Sequence, residues 1–149
     1  MKKIVICILI ALIILVLGGI IIMALLNPLR KSEESIREDI LELTPIGLTM
    51  EEVIETIENN REWTNEHLIF DRGYAIMRAG VEGDYIFFPV IYYSENNVNF
   101  IKTVGVKAIR LNIGNYHSPL SETVVLVYWA FNENGELIDI AVDKEVTSL

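Results

Sequence analysis

Apolar and polar positions divide the chain into three stretches. An uncharged apolar run extends from Ile4 to Leu26. Next, Ile36, Ile40 and Leu43 recur at i, i+4 and i+7, the spacing of one side of an α-helix. Beyond residue 63 the apolar residues alternate with polar ones or form short runs bounded by turn residues, which is typical of β-strands. This order predicts an apolar N-terminal helix, two short helices and then a series of strands.

The apolar run is long enough to cross a bilayer. A helix rises about 1.5 Å per residue, and the hydrocarbon core is roughly 30 Å thick. Because Lys2 and Lys3 form a very short basic tail before it, we expect an uncleaved signal anchor in the plasma (inner) membrane. The single span would run from Ile4 to Leu26, with the C-terminal domain outside the cytoplasm. A cleaved secretory signal remains the alternative, with residues 22–24 as its best cleavage site.

Two short helices are predicted between residues 32 and 60. Ser32 is a good N-cap residue and is followed by two glutamates, whose charges suit the first turn of a helix. Pro45 ends this helix at Thr44, because proline disfavours a helical residue before it. Thr49 and Glu52 have the spacing of a capping box, which predicts that a second helix begins there and continues to about residue 60.

Seven strands are predicted after the helices, over residues 66–70, 74–78, 85–93, 100–104, 107–113, 123–131 and 137–144. Pro89 interrupts the third strand, which should therefore lie at a sheet edge or contain a bulge. Residues 132–135 are predicted to form a type I turn closed by a glycine bulge, so the last two strands form a hairpin. The predicted fold class is α+β: an N-terminal transmembrane helix, then one or two short helices packed on an antiparallel meander.

Two motifs resemble those of a known family. The helix opening Pro-Ile-Gly-Leu-Thr-Met-Glu-Glu-Val at residues 45–53 and the hairpin Phe-Asn-Glu-Asn-Gly-Glu-Leu at residues 131–137 are similar to the SmpA/OmlA (BamE-like) family and its relatives with the beta-lactamase-inhibitor-protein fold. The resemblance covers residues 44–60 and 124–142. It implies an extracytoplasmic, non-enzymatic protein-binding module tethered to a membrane. The chain lacks the family's lipid-attachment cysteine, so a role in outer-membrane protein assembly does not transfer.

Charge separates the N-terminal segment from the rest. Residues 32–149 carry 8 basic and all 21 acidic side chains, a net charge of −13. This charge argues against nucleic acid as a partner, because phosphate backbones attract basic surfaces. Cys7 is the only cysteine, so no intramolecular disulfide forms. The predicted domains are a membrane anchor with its flanks in 1–31, a linker or stalk helix in 32–44, and an α+β extracytoplasmic domain in 45–149.

No set of residues predicts catalysis or a metal site. His67 and His117 are the only histidines, and neither has the spacing of a metal-binding pair. The sequence has no nucleophile elbow, phosphate-binding loop, zinc-protease motif or calcium loop. The glutamates of the second helix are interpreted as its solvated side. We therefore expect no catalytic, cofactor-binding or metal-binding residues and no enzyme activity, although a triad assembled in space is not visible in one sequence.

The predicted hairpin carries the candidate binding surface. With Asn132 opposite Glu136, Tyr128 lies opposite Ile140 and Trp129 opposite Asp139, and the Tyr128 side is expected to pack under the second helix. The other side mixes aromatic and acidic residues and needs another cover. The helix over 32–43 or the segment 80–105 supplies that cover, or a partner protein does. The predicted partner-binding residues are Val127, Trp129, Phe131 and Asp139.

These patterns lead to two hypotheses about function. The first is a membrane-anchored extracytoplasmic protein–protein interaction module without catalytic activity, whose partners are the membrane and another protein. The alternative is a self-associating structural or sensory ectodomain, in which a second copy binds through the stalk helix over 32–43. Dimerisation that depends on concentration would favour the alternative.

Overall fold

The computed structural model describes residues 12–16, 18–19, 27–63, 66–79, 84–89 and 100–148. Residues 1–31 and 32–149 form two separate compact units. Residues 12–16 and 18–19 are helical, and a single 3₁₀ turn spans Pro28–Arg30. No helix in these described ranges has both the length and the apolar character needed to cross a membrane.

The predicted fold class is therefore wrong in its first element, the transmembrane helix. The helical residues described in the first unit are far fewer than the roughly 20 that a membrane-spanning helix requires. The rest of the predicted span from Ile4 to Leu26 lies outside the described residues. The second unit is α+β, with short helices and antiparallel strands.

The second unit contains two helices and seven strands. They are α1 (Glu33–Leu43), α2 (Met50–Asn59), β1 (Leu68–Phe70), β2 (Tyr74–Ala79), β3 (Asp84–Pro89), β4 (Phe100–Val104), β5 (Lys107–Ser118), β6 (Ser121–Phe131) and β7 (Leu137–Ser148). Both helices begin at the predicted caps. Ser32 Oγ accepts from Ser35 N–H, and Thr49 and Glu52 exchange both hydrogen bonds of a capping box. Each cap satisfies backbone N–H groups that the first helical turn leaves without partners.

The strands form two sheets, so the predicted single meander is wrong. The first sheet has the order β1-β5-β6-β7 and the second has the order β3-β2-β4, with antiparallel pairing throughout. The chain leaves the first sheet after β1 and returns to it after β4, so the strands in between pair with one another. The strand that contains Pro89 lies at the edge of the second sheet, as predicted.

Two glycines form the corner where the chain crosses between the sheets. Gly73 precedes β2 and Gly105 follows β4. A Cβ atom on Gly73 would collide with the carbonyl oxygens of Val104 and Gly105, and one on Gly105 would press on the Phe131 carbonyl oxygen. Gly105 also has a φ of 73°, which side chains disfavour. The two chain segments that cross between the sheets can therefore lie side by side only because Gly73 and Gly105 have no side chains.

The register of the β6–β7 hairpin differs from the prediction after its first pair. Asn132 N–H donates to the Glu136 carbonyl oxygen, and Phe131 lies opposite Leu137, as expected. The next pair is Ala130 with Asp139, because Ile138 is an extra residue in a β-bulge. The bulge shifts the register by one residue, so the predicted pairs of Tyr128 with Ile140 and Trp129 with Asp139 are wrong.

The first sheet consequently has two contrasting faces. The Trp129 face consists of Ile109, Leu111, Val127, Trp129, Ile140 and Val142. The Tyr128 face consists of Ala108, Arg110, Leu126, Tyr128, Ala130, Asp139, Ala141 and Asp143. Thr44 and Trp63, which precede and follow α2, both contact Trp129, so the helices cover the Trp129 face. The Tyr128 face packs against Tyr74 and Val104 of the second sheet, so the expectation that it lies under α2 is wrong.

Helix α1 is packed against the sheet. Its contacts are with β7, and Ile36 and Ile40 are both buried. Arg37 Nε donates to the Ile140 carbonyl oxygen at 2.7 Å. Among the described strands β7 pairs with β6 alone, but Leu137 at its start exchanges backbone hydrogen bonds with Gly47 and Leu48. Helix α1 covers the next part of this strand edge, at Ile140.

Candidate functional site

The predicted partner-binding residues lie in two environments. Val127, Trp129 and Phe131 are each 0% exposed, whereas Asp139 is half-buried. The indole N–H of Trp129 donates to Thr44 Oγ1 at 2.9 Å, inside the layer between sheet and helices. The chain itself therefore supplies the cover for Trp129, at the end of the helix over 32–43.

Asp139 joins a hydrogen-bonded cluster at the edge of β7. Its Oδ1 atom accepts from Arg37 Nη2 at 3.0 Å and from Ile140 N–H at 2.9 Å, and its Oδ2 atom accepts from the Tyr74 hydroxyl at 3.1 Å. Asp139 thus accepts from the N–H group of Ile140, and Arg37 donates to the C=O group of the same residue. These bonds occupy the backbone groups that an added strand would use.

Burial sets the chemistry of Tyr74. Its pKa is raised far above the usual range, chiefly because the buried phenol loses hydration, and further by the negative charge and hydrogen bond of Asp139. The hydroxyl therefore stays protonated and acts as a hydrogen-bond donor at physiological pH. This position holds the two sheets together and is poorly suited to a general base.

A second buried carboxylate lies further along β7. Asp143 is 8% exposed, and burial raises its pKa to about 6. The negative charges of Glu145 and Glu33 raise this pKa further, while a hydrogen bond from Lys144 N–H opposes the shift. Asp143 in turn helps to raise the pKa of the neighbouring Tyr128 phenol, whose shift comes mainly from its own burial.

The histidines stay apart from one another. His117 lies on an exposed part of β5, with Nε2 3.9 Å from Glu122 Oε1. His67 lies just before β1, at the opposite edge of the first sheet from β7. Among the residues that the structure describes, no three histidine, cysteine or acidic side chains are placed to hold a metal ion.

A groove is lined by the end of α1, the connection that follows it and one side of α2. We call it the helix groove; it has a volume of about 500 Å³. Its lining consists of Leu43, Leu48, Glu52, Glu55, Thr56, Asn59 and Asn60. The lining residues of α2 recur at i, i+3, i+4 and i+7 from Glu52, so they share one side of that helix. Val53 and Ile57 lie on another side of α2 and are buried.

Apolar side chains are exposed at the end of α1 and just beyond it. Leu43 is 49% exposed and Ile46, in the connection to α2, is 52% exposed. Leu43 is the third member of the predicted stripe, but only Ile36 and Ile40 are buried. The apolar stripe of α1 therefore extends beyond its two buried residues, and its last member, Leu43, lies in the wall of the helix groove.

The acidic side chains in the helix groove are held in different ways. Glu52 Oε2 accepts from Thr49 N–H at 2.8 Å and from Thr49 Oγ1 at 3.0 Å. These bonds lower the pKa of Glu52, so its carboxylate stays charged in a fixed position. Glu55 is exposed one turn further along α2. The groove thus combines a fixed carboxylate, an exposed one and an apolar wall.

No protein-family model, curated protein or solved structure matches this chain. The resemblance of residues 45–53 and 131–137 to the SmpA/OmlA family stays a prediction.

Sequence reasoning missed the helix groove because it treated the α2 glutamates as a solvated side. A signal was nevertheless present. Leu43 and Ile46 flank Pro45, so two apolar residues stand on either side of a turn that cannot continue the helix. The sequence alone does not state whether such a pair is buried by a neighbouring element.

Proposed function

We propose that residues 32–149 form a protein-binding domain without catalytic activity, which binds its partner at the helix groove. The observation that carries this proposal is the exposure of Leu43, which lines a concave surface of a strongly acidic domain together with the partly exposed Leu48. Exposed apolar side chains grouped at a groove are typical of surfaces that another protein covers.

The size and openness of the helix groove suit a protein segment. Its volume of about 500 Å³ can accept a few side chains, and it lies at the surface between two short helices. Leu43 and Leu48 offer apolar contact, while Thr56 and Asn59 offer polar groups at the rim. A partner would gain both burial and directional hydrogen bonds there.

The buried ionisable groups support a non-catalytic role. Asp139 is bonded to Arg37, Tyr74 and the β7 backbone, and Tyr74 is protonated and covered. These groups have structural partners and lie on other parts of the domain from the helix groove. The resemblance to a family of protein-binding modules points in the same direction.

Self-association through the helix over 32–43 is the less favoured alternative. That hypothesis needs a free apolar stripe on the helix, but Ile36 and Ile40 are buried within their own domain. Only Leu43 is left exposed, which is a small contact for a stable dimer. The membrane as a partner and a location outside the cytoplasm stay predictions, which labelling of intact cells with a membrane-impermeant reagent would test.

Site-specific photo-cross-linking tests the proposal in the host cell. A photoreactive amino acid at position 43 of the full-length chain should give a discrete cross-link to another protein. The matched control is position 120, because Leu120 is 83% exposed but lies in the β5–β6 turn. No cross-link from position 43, or the same products from both positions, would contradict a binding surface at the helix groove.

A further inference from the structure

We infer that the helix groove receives a basic protein segment, which places an apolar side chain against Leu43 and Leu48 and cationic side chains beside Glu52 and Glu55. This inference rests on the proposed protein-binding function and adds the chemistry of the partner. It follows from the charge, the spacing and the apolar wall of the groove.

The glutamates of the helix groove carry negative charge, and α1 and α2 supply no basic side chain that balances it. Helix α2 contains four glutamates and no lysine or arginine. The single basic residue of α1 is Arg37, whose guanidinium is bound to Asp139 and lies 3.7 Å from Glu34. Cationic side chains of a partner therefore meet carboxylates that no basic residue of α1 or α2 neutralises.

The two carboxylates in the lining are close enough together to contact two adjacent cationic groups of a partner. Glu52 and Glu55 are three residues apart on α2, so their Cβ atoms are about 5–6 Å apart. Thr49 already holds Glu52 in one conformation, so less side-chain freedom is lost when a cation binds. One fixed and one adaptable carboxylate can therefore contact two basic side chains of the same segment.

The apolar wall distinguishes this groove from a merely acidic surface. Leu43 is half exposed and Leu48 is partly exposed, both within the lining. A leucine-sized side chain inserted there would remove apolar surface from water on both partners. The partner segment must therefore be both cationic and apolar, and a purely hydrophilic basic tail satisfies only half of the site.

A second copy of the same domain is a poorer occupant. Residues 32–149 carry a net charge of −13, so two copies repel one another. That repulsion is strongest when an acidic surface of one copy approaches the glutamates of the other. A basic partner carries the opposite charge, so the domain attracts it, and this attraction acts beyond contact distance.

Fluorescence anisotropy tests the inference on the purified full-length chain. The probe is a fluorescein-labelled lysine-rich peptide with one central leucine, and two comparison peptides replace the leucine by serine or the lysines by glutamate. We expect Glu55→Lys to weaken binding of the probe about tenfold, because it reverses a charge at the groove. Leu43→Gln should weaken it about fivefold by removing apolar contact. Both comparison peptides should bind more weakly than the probe.

The matched control is Glu145→Lys, which makes the same charge change on an exposed residue of β7. Glu145 and Glu33 both act on Asp143, and Glu33 is at the opposite end of α1 from Leu43, so this charge is far from the helix groove. The control should change binding less than twofold, as a distant screened charge does. Glu55→Gln should give an intermediate loss, and circular dichroism should show that each variant keeps the parental fold. Equal losses for Glu55→Lys and Glu145→Lys, or no binding of the probe, would overturn the inference.

Cross-linking separates this inference from the proposed function. If position 43 captures a foreign protein and Glu55→Lys leaves the capture unchanged, the protein-binding function stands and the basic-segment inference falls. If position 43 captures only a second copy of the chain, the inference also falls. Capture that Glu55→Lys abolishes and Glu145→Lys preserves supports both.

Discussion

The two faces of the first sheet are built on different principles. The Trp129 face is apolar and is closed by helices, with the Trp129–Thr44 hydrogen bond as its one described polar link. The Tyr128 face includes the buried Asp143 and the half-buried Asp139, and the buried phenol of Tyr74 packs against it. Packed apolar volume stabilises the first face, whereas the second depends on hydrogen-bonded polar groups such as Asp139 and is weakened by the buried charge of Asp143. Substitutions on the two faces should therefore differ in size and in their dependence on pH.

Trp129→Ala should have the largest effect of the substitutions considered. It removes a fully buried indole and its hydrogen bond to Thr44, so we expect a loss of about 4 kcal/mol in the free energy of unfolding. Urea unfolding of the full-length chain measures it. Leu120→Ala, at an exposed turn residue, is the control and should change little. A loss below about 1 kcal/mol for Trp129→Ala would show that the helices do not close this face.

The position of Trp129 also shows how far the sequence could predict the fold. The capped helices, the seven strands, the 132–135 turn and the edge position of the Pro89 strand follow from local patterns, and the structure has them. Local patterns did not reveal the bulge at Ile138, because Ile138 looks like any other apolar strand residue. One extra residue exchanged the faces of Asp139 and Ile140 and with them the predicted surroundings of Trp129.

The second sheet was missed for a related reason. The corner shared by Gly73 and Gly105 exists only where the two chain segments between the sheets are brought together, and the spacing of residues does not show this. The helix groove likewise depends on where the stripe of α1 ends relative to the sheet. Contacts between distant parts of the chain decide all three features, and hydrophobic periodicity does not encode them.

Asp139→Ala tests the polar edge of the Tyr128 face and should have the next largest effect. The change leaves the buried Tyr74 hydroxyl, Arg37 and Ile140 N–H without their acceptor, so we expect a loss of roughly 3 kcal/mol. Chemical denaturation gives the value. Asp139→Asn keeps one acceptor oxygen and should lose less. Equal losses for the two variants would mean that charge, and not the number of bonds, determines stability at this edge.

Asp143→Asn should stabilise the domain in a pH-dependent manner. The folded-state pKa of Asp143 is about 6, above the ordinary value of 3.8, because burial disfavours the charged form. For an acid whose pKa is raised by folding, stability is fully present below the unfolded value and is lost as pH rises through the folded one. The variant should therefore match the parent near pH 4 and exceed its stability by roughly 2 kcal/mol at pH 8.

Thermal and urea unfolding of parent and Asp143→Asn across this pH range will check the expectation. Glu145→Gln is the companion variant, because the charge of Glu145 raises the pKa of Asp143 more than the charge of Glu33 does. Removing its charge lowers the folded-state pKa of Asp143, so the loss of stability should be smaller and should be complete at a lower pH than in the parent. A stability difference between parent and Asp143→Asn that is constant with pH would show that the carboxylate is not the titrating group.

Thr49→Ala should have the smallest effect, because it acts on the solvated end of α2 above the Trp129 face. The substitution removes the side-chain acceptor of Glu52 N–H and the Oγ1 donor to the Glu52 carboxylate, for an expected loss of about 1 kcal/mol. Denaturant midpoints at neutral pH measure it, and Thr49→Ser, which keeps the hydroxyl, should restore most of the stability. Thr49→Ala also leaves Glu52 with the backbone N–H of residue 49 as its donor and without the hydroxyl, so the Glu52 side chain is held less firmly at the helix groove. If the groove binds a cationic segment through a fixed carboxylate, Thr49→Ala should therefore also weaken the lysine-rich probe a few-fold. If Thr49→Ala leaves the stability unchanged, Thr49 does not cap α2. If it lowers the stability but leaves binding of the probe unchanged, Glu55 is the carboxylate that binds the probe.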